Sequence, residues 1–97
     1  MATYVSLVRF TDQGVRNLKD LPDRIASAEK LFERHGAKLS QLYLAMGRYD
    51  YVAIIEAPDD ESVTKAALAL GSLGNVRTET LRAYTRTEIG KIIGGLP

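Results

Sequence analysis

Five polar residues of this 97-residue sequence have types and positions that could do chemistry: Arg9, His35, Arg48, Tyr49 and Asp50. Three of them are consecutive and follow a glycine, in Gly47-Arg48-Tyr49-Asp50. At the mouth of a cavity, Tyr49 could donate a hydrogen bond to a ligand oxygen and Asp50 could accept a proton. Acid–base work by Asp50 would require burial to raise its pKa. The same four residues also have a purely structural reading. Gly47 takes a backbone angle closed to other residues, and Asp50 accepts from turn amides or pairs with Arg48. Tyr49 lays its ring on a neighbouring element while its hydroxyl reaches a polar partner. Backbone needs account for the four residues first, and ligand chemistry is the alternative.

His35 is the single histidine and stands one residue before Gly36. At a helix C-terminus its imidazole interacts favourably with the dipole. The sharper alternative is a haem ligand or a general base facing a cavity. No His-x-x-x-His or Glu-x-x-His spacing exists, so a metal site is not expected. Arg9 and Arg82 fall in strand-like text. A guanidinium on a sheet face wants a carboxylate, with Glu56 or Glu79 available, and failing those an anionic ligand.

These residues are positioned by a short series of elements. "TYVSLVRF", Thr3 to Phe10, reads as a strand, and Thr11-Asp12 offers a helix cap. Apolar positions at Leu18, Leu21, Ile25, Ala28, Leu31 and Phe32 recur every three or four residues, as on a helix. Pro22 interrupts that run, so the spacing predicts a short turn at Val15–Lys19 and a main helix from about Asp20 to His35. Strands follow at Ala37–Met46 and Tyr49–Ala57, joined as a hairpin through Gly47. Asp59 then caps a second helix with the stripe Val63, Ala66, Ala67, Leu70 and Leu73, closed by Gly71 and Gly74. Asn75–Thr85 is the fourth strand. "RTEIGKIIGGLP" holds a short C-terminal helix or tail, whose Ile89, Ile92 and Ile93 are expected to dock on a neighbouring subunit. "ALALGSLGN" lacks the Lys-Ser/Thr of a phosphate-binding loop and reads as helix end and turn.

The order predicts an α+β fold: ferredoxin-like βαββαβ, with a four-stranded antiparallel sheet and both helices on one face. The other face should then be polar at alternate positions. It is not. Val52 and Ile54 point one way while Tyr51, Ala53 and Ile55 point the other, and Val5 and Leu7 oppose Tyr4, Val8 and Phe10. Soluble monomers avoid contiguous apolar patches of this kind. The expectation is a homo-oligomer, a dimer or multiple of dimers, packed sheet to sheet, with most tyrosines at the subunit interface and one or two lining a pocket.

Composition narrows the partners. The 13 basic and 12 acidic residues nearly cancel and are interspersed, so no basic stripe for nucleic acid forms. There is no cysteine, which removes disulfides, thiolate nucleophiles and Cys-type zinc sites. "MATYVSLVRF" lacks the features of a signal peptide, and no window approaches the ~20 apolar residues of a membrane span. A cytoplasmic protein is expected, with neither nucleic acid nor membrane as partner.

With the hairpin placed, "GRYDYVAIIEAPDDE" resembles the GYD-domain family, whose Gly-x-Tyr-Asp signature falls on Gly47, Tyr49 and Asp50. "YVSLVRFTDQG" and "EAPDDE" resemble the family as well, so the likeness covers about the whole chain. The resemblance implies dimeric α/β barrels, in which two ferredoxin-like subunits pack sheet to sheet. It implies little about activity, because fold relatives include cofactor-independent monooxygenases, haem-degrading enzymes, lactone isomerases and ligand-sensing domains. The leading expectation is a cofactor-free, self-associating module that binds a small apolar or anionic ligand or builds a larger assembly. The alternatives are a cofactor-independent oxygenase or isomerase acting on an aromatic or lactone, and a purely structural ring subunit. The enzyme reading requires His35, Tyr49 and Asp50 to converge on one closed apolar pocket.

Overall fold

The computed structural model describes residues 1–97. Strand β1 (Ala2–Phe10) leads into a short helix α1 (Asp12–Arg16), a 3-10 turn at Leu18–Asp20 and helix α2 (Leu21–Arg34). Strands β2 (Lys38–Leu44) and β3 (Tyr51–Ala57) form the hairpin. Helix α3 (Asp60–Ser72), strand β4 (Val76–Ala83) and helix α4 (Arg86–Gly94) complete the chain. The expected break before Pro22 is present, with the proline in the first turn of α2, where a missing amide donor does no harm. Gly71 lies within the last turn of α3 rather than beyond it.

The sheet order is β2-β3-β1-β4, with every pair antiparallel. Tyr4, Ser6 and Val8 alternate on β1, opposite Ile55, Ala53 and Tyr51 of β3, and all point under the helices. The core gathers there around Ile55, Phe32, Val63 and Tyr4, with Ala57 and Ala66 fully buried. Strict alternation along β2 would turn Leu39 and Leu42 to opposite faces. A bulge between Leu39 and Gln41 pairs those two residues with Ile55 and Ile54, leaving Ser40 as the extra residue. Both leucines therefore pack against the core. The Ser40 hydroxyl donates to Glu56 Oε2 at 2.6 Å on the opposite face.

That opposite face carries Val5 and Leu7 of β1, Val52 and Ile54 of β3, Leu81 of β4 and Tyr43 of β2, and no element of the chain packs on it. Leu81 and Tyr43 are 47% and 58% exposed. Tyr4 and Tyr51, by contrast, point under the helices and line hollows there, as one or two tyrosines were expected to do. Helix α4 is a second uncovered surface. Thr85 and Glu88 close a capping box at its start, and Ile89, Ile92 and Ile93 remain about half exposed. The projecting helix helps draw the molecule out to 52 × 30 × 18 Å.

Candidate functional site

The β2–β3 connection is built around Gly47 and Asp50. Gly47 has φ +105°, a left-handed angle that any side chain would strain, although a Cβ there would meet nothing within 4 Å. Backbone conformation, not crowding, therefore demands glycine. Asp50 donates its own amide to the Val8 carbonyl at 2.8 Å, and its carbonyl accepts from Ala45 at 2.8 Å. Its carboxylate Oδ2 accepts the Phe10 amide at 2.7 Å, so the group served is the end of β1 and not the turn itself. The pairing of Asp50 with Arg48 does not form; the chain's two ion pairs are Lys65–Glu61 and Arg82–Glu88. Asp50→Ala leaves the Phe10 amide without its charged acceptor and is expected to cost about 1.5–3 kcal/mol in urea denaturation. An unchanged midpoint would free Asp50 for a role in chemistry.

Tyr49 turns onto the open sheet face. Its hydroxyl donates to Glu79 Oε2 at 3.1 Å, and the Arg9 guanidinium lies 4.9 Å from its ring centroid. Arg9 thus meets an aromatic face rather than Glu56 or Glu79. Leu7, Arg9, Tyr49, Arg77 and Glu79 line a shallow hollow of about 180 Å³ at this corner. Arg48 is exposed nearby in the turn. His35 is at the other end of β2, just past the end of α2, with its amide donating to the Phe32 carbonyl at 3.0 Å. The seven residues of β2 at ~3.3 Å each separate it from the hairpin. His35, Tyr49 and Asp50 therefore do not converge. No three His, Asp or Glu side chains come together in a group that could hold a metal ion.

Two larger hollows lie on the helix side, and none of Arg9, His35, Arg48, Tyr49 and Asp50 lines either. One, of about 440 Å³, opens between α3 and β4 beside Tyr4, Asp60, Val63, Leu68, Thr80 and Arg82. The buried Tyr4 hydroxyl donates to Asp60, and burial first, then that carboxylate, pushes the phenol up to about 12. Arg82 was expected on a sheet face beside Glu56 or Glu79. Register with Tyr4 instead turns it to the helix side, against the Tyr4 and Tyr84 rings. Its guanidinium donates to the Thr3 and Ala83 carbonyls and stands 3.8 Å from Glu88. Ser6 and Thr80 share a hydrogen bond at 3.1 Å. Polar groups in this hollow thus largely satisfy one another.

The other hollow is a groove of about 530 Å³ between α2 and α3, floored by Phe10, Tyr51 and Val76 and reached by Arg24 and Arg34. Arg24 Nη2 donates to the Gly14 carbonyl at 3.0 Å, while its buried Nε has no partner. Sequence offered one signal for this position: Arg24 immediately precedes Ile25 on the apolar stripe of α2, next to the buried face.

A four-stranded antiparallel sheet with order β2-β3-β1-β4 and its helices packed on one face defines a ferredoxin-like α+β protein. The chain belongs to the GYD domain family, whose model matches residues 4–93. It is 38% identical over 84 residues to the glutamine synthetase and cystathionine beta-lyase binding protein of Thermus thermophilus, covering 86% of this chain and 88% of that one. Among solved structures it is similar to TTHA0845 from the same organism, with a TM-score of 0.55 and 27% identity. That match covers 89% of this chain and all of the other. No helix here is long and apolar enough to cross a membrane.

Proposed function

We propose that this protein is a binding module that works as a homodimer and docks on a larger enzyme, with a small ligand held on its helix side. The observation that carries the reading is the open sheet face, where Val5, Leu7, Val52, Ile54 and Leu81 form a patch covered by nothing in the chain. A second copy of the same face is the cover that a closed two-fold dimer brings to it. The patch is rimmed by Lys38 and Glu56 at one end and by Arg9, Arg77 and Glu79 at the other. Charges of both signs at each end allow an antiparallel copy to meet opposite charges.

Helix α4 supports the partner half of the reading. Nine residues with no packed face make a marginal helix, and three isoleucines on it await a cover. The relative's name specifies binding to two enzymes of amino-acid chemistry, so glutamine synthetase and cystathionine beta-lyase are the partners to try. The oxygenase or isomerase reading draws no support from His35, Tyr49 and Asp50, which do not converge on one pocket. A structural ring subunit is the remaining form of the same self-association.

Sedimentation at micromolar concentration is expected to give twice the chain mass, and the purified protein is expected to co-migrate with one of those enzymes from its own source. A monomer that associates with neither would sink the reading.

A further inference from the structure

We propose that the groove between α2 and α3 binds an apolar monocarboxylate, such as a medium-chain fatty acid or an arylalkanoic acid, with Arg24 holding the carboxylate. This rests on the ligand part of the function proposed above and adds the ligand's chemistry.

Size and lining suit such a ligand. The groove encloses about 530 Å³, inside the range of roughly 300–1,000 Å³ common for small-molecule sites. Nine of its fourteen lining residues are hydrophobic, and the others include two arginines and no acid. An occupant therefore needs a mostly apolar body, and any charge it carries must be negative. Phe10 and Tyr51 meet edge to face at 5.6 Å and give the floor a rigid aromatic surface.

Arg24 fixes where the charge goes. Its guanidinium stands 5.8 Å from the Phe10 ring centroid and is tethered through Nη2 to the carbonyls of Gly14 and Asn17. Arginine keeps its charge in such a setting. Nε is closed off from solvent, and Nη2 is engaged by the two carbonyls, so the nitrogen open to an occupant is Nη1, which has no protein partner. A carboxylate oxygen accepts there, in a charge-assisted hydrogen bond from a side chain already held in place. Arg34 adds a second positive charge along the groove. The hollow between α3 and β4 makes the poorer anion site, since Asp60 lines it and Arg82 is already engaged. The groove also lies on the helix side, so pairing of two sheets leaves it open.

Titration calorimetry with decanoate tests the proposal, with 1-decanol as the uncharged probe of equal chain length. One decanoate per chain is expected, with decanol at least tenfold weaker. Arg24→Gln is expected to weaken decanoate at least tenfold. Because Arg24 also ties Gly14 and Asn17, Ala69→Phe serves as a second variant, filling the groove from α3 while keeping the guanidinium. It is expected to abolish binding with the circular dichroism spectrum unchanged. Decanol binding as tightly as decanoate would overturn the carboxylate assignment and leave a ligand groove. Wild-type affinity in folded Arg24→Gln would overturn the role of Arg24, and in Ala69→Phe the location. Absence of heat with either probe would overturn the groove as a ligand site, and sedimentation reads the dimer independently.

Discussion

Ile54→Asp is expected to convert the proposed dimer to a monomer while leaving the subunit folded. Ile54 lies on β3, an inner strand, paired with Val5 on one side and Gln41 on the other. Its side chain points to the open face, so in a lone subunit the new carboxylate meets water and costs little. In a sheet-to-sheet dimer the carboxylate is buried in an apolar interface, where an unpaired ion costs several kcal/mol after relaxation. Two-fold symmetry places the substitution twice. Even ~3 kcal/mol weakens association by roughly a hundredfold, enough to populate monomer at micromolar concentration. Sedimentation velocity reads the change, and urea denaturation checks the fold. Leu81→Asp, on the exposed edge strand β4, repeats the test where the monomer is least sensitive. If both variants sediment as wild type, the open face is not the dimer interface.

The second large effect falls on stability. Gly14→Ala is expected to destabilise the chain by about 2–4 kcal/mol, from overpacking and the loss of adjoining hydrogen bonds. A Cβ at Gly14 would sit 2.0 Å from the carbonyl oxygen of Asn75, a backbone atom that no rotamer change can move aside. The same carbonyl accepts the Thr11 amide at 3.0 Å, and the Thr11 hydroxyl donates to the neighbouring Gly74 carbonyl at 2.5 Å. Relief of the clash therefore pulls apart the joint that holds α1 to the loop before β4. The sign is diagnostic. Gly to Ala in a helix is otherwise favourable by up to ~1 kcal/mol, so a variant as stable as wild type would show that the close approach does not exist. Calorimetric melting of the two proteins decides it.

What could be read in the sequence was local backbone chemistry. Pro22 marks where α2 begins, Asp59 caps α3 through the Ser62 amide at 2.8 Å, and Gly47 takes the left-handed angle of the turn. Each depends on a residue's own conformational limits or on neighbours a few positions away, and alternating hydrophobicity then assigned the two faces of β1 and β3. The GYD signature was legible for the same reason, as a turn that needs glycine. The carboxylate's partner was not legible: Asp50 serves Phe10, forty residues earlier. Tyr4 meets Asp60, fifty-six positions away, and Arg82 turns under the helices because its register with Tyr4 sends it there. The Ser40 bulge reverses the inward set of β2, a change that periodicity along one strand does not reveal. The groove at Arg24 exists only where two helices and the strands beneath them fail to close. The sequence alone therefore determined the elements and the family, because those follow from short-range sterics and hydrogen bonding. Only the tertiary structure decided which side chains share a site, because strand register and helix packing bring together residues with no relation along the chain.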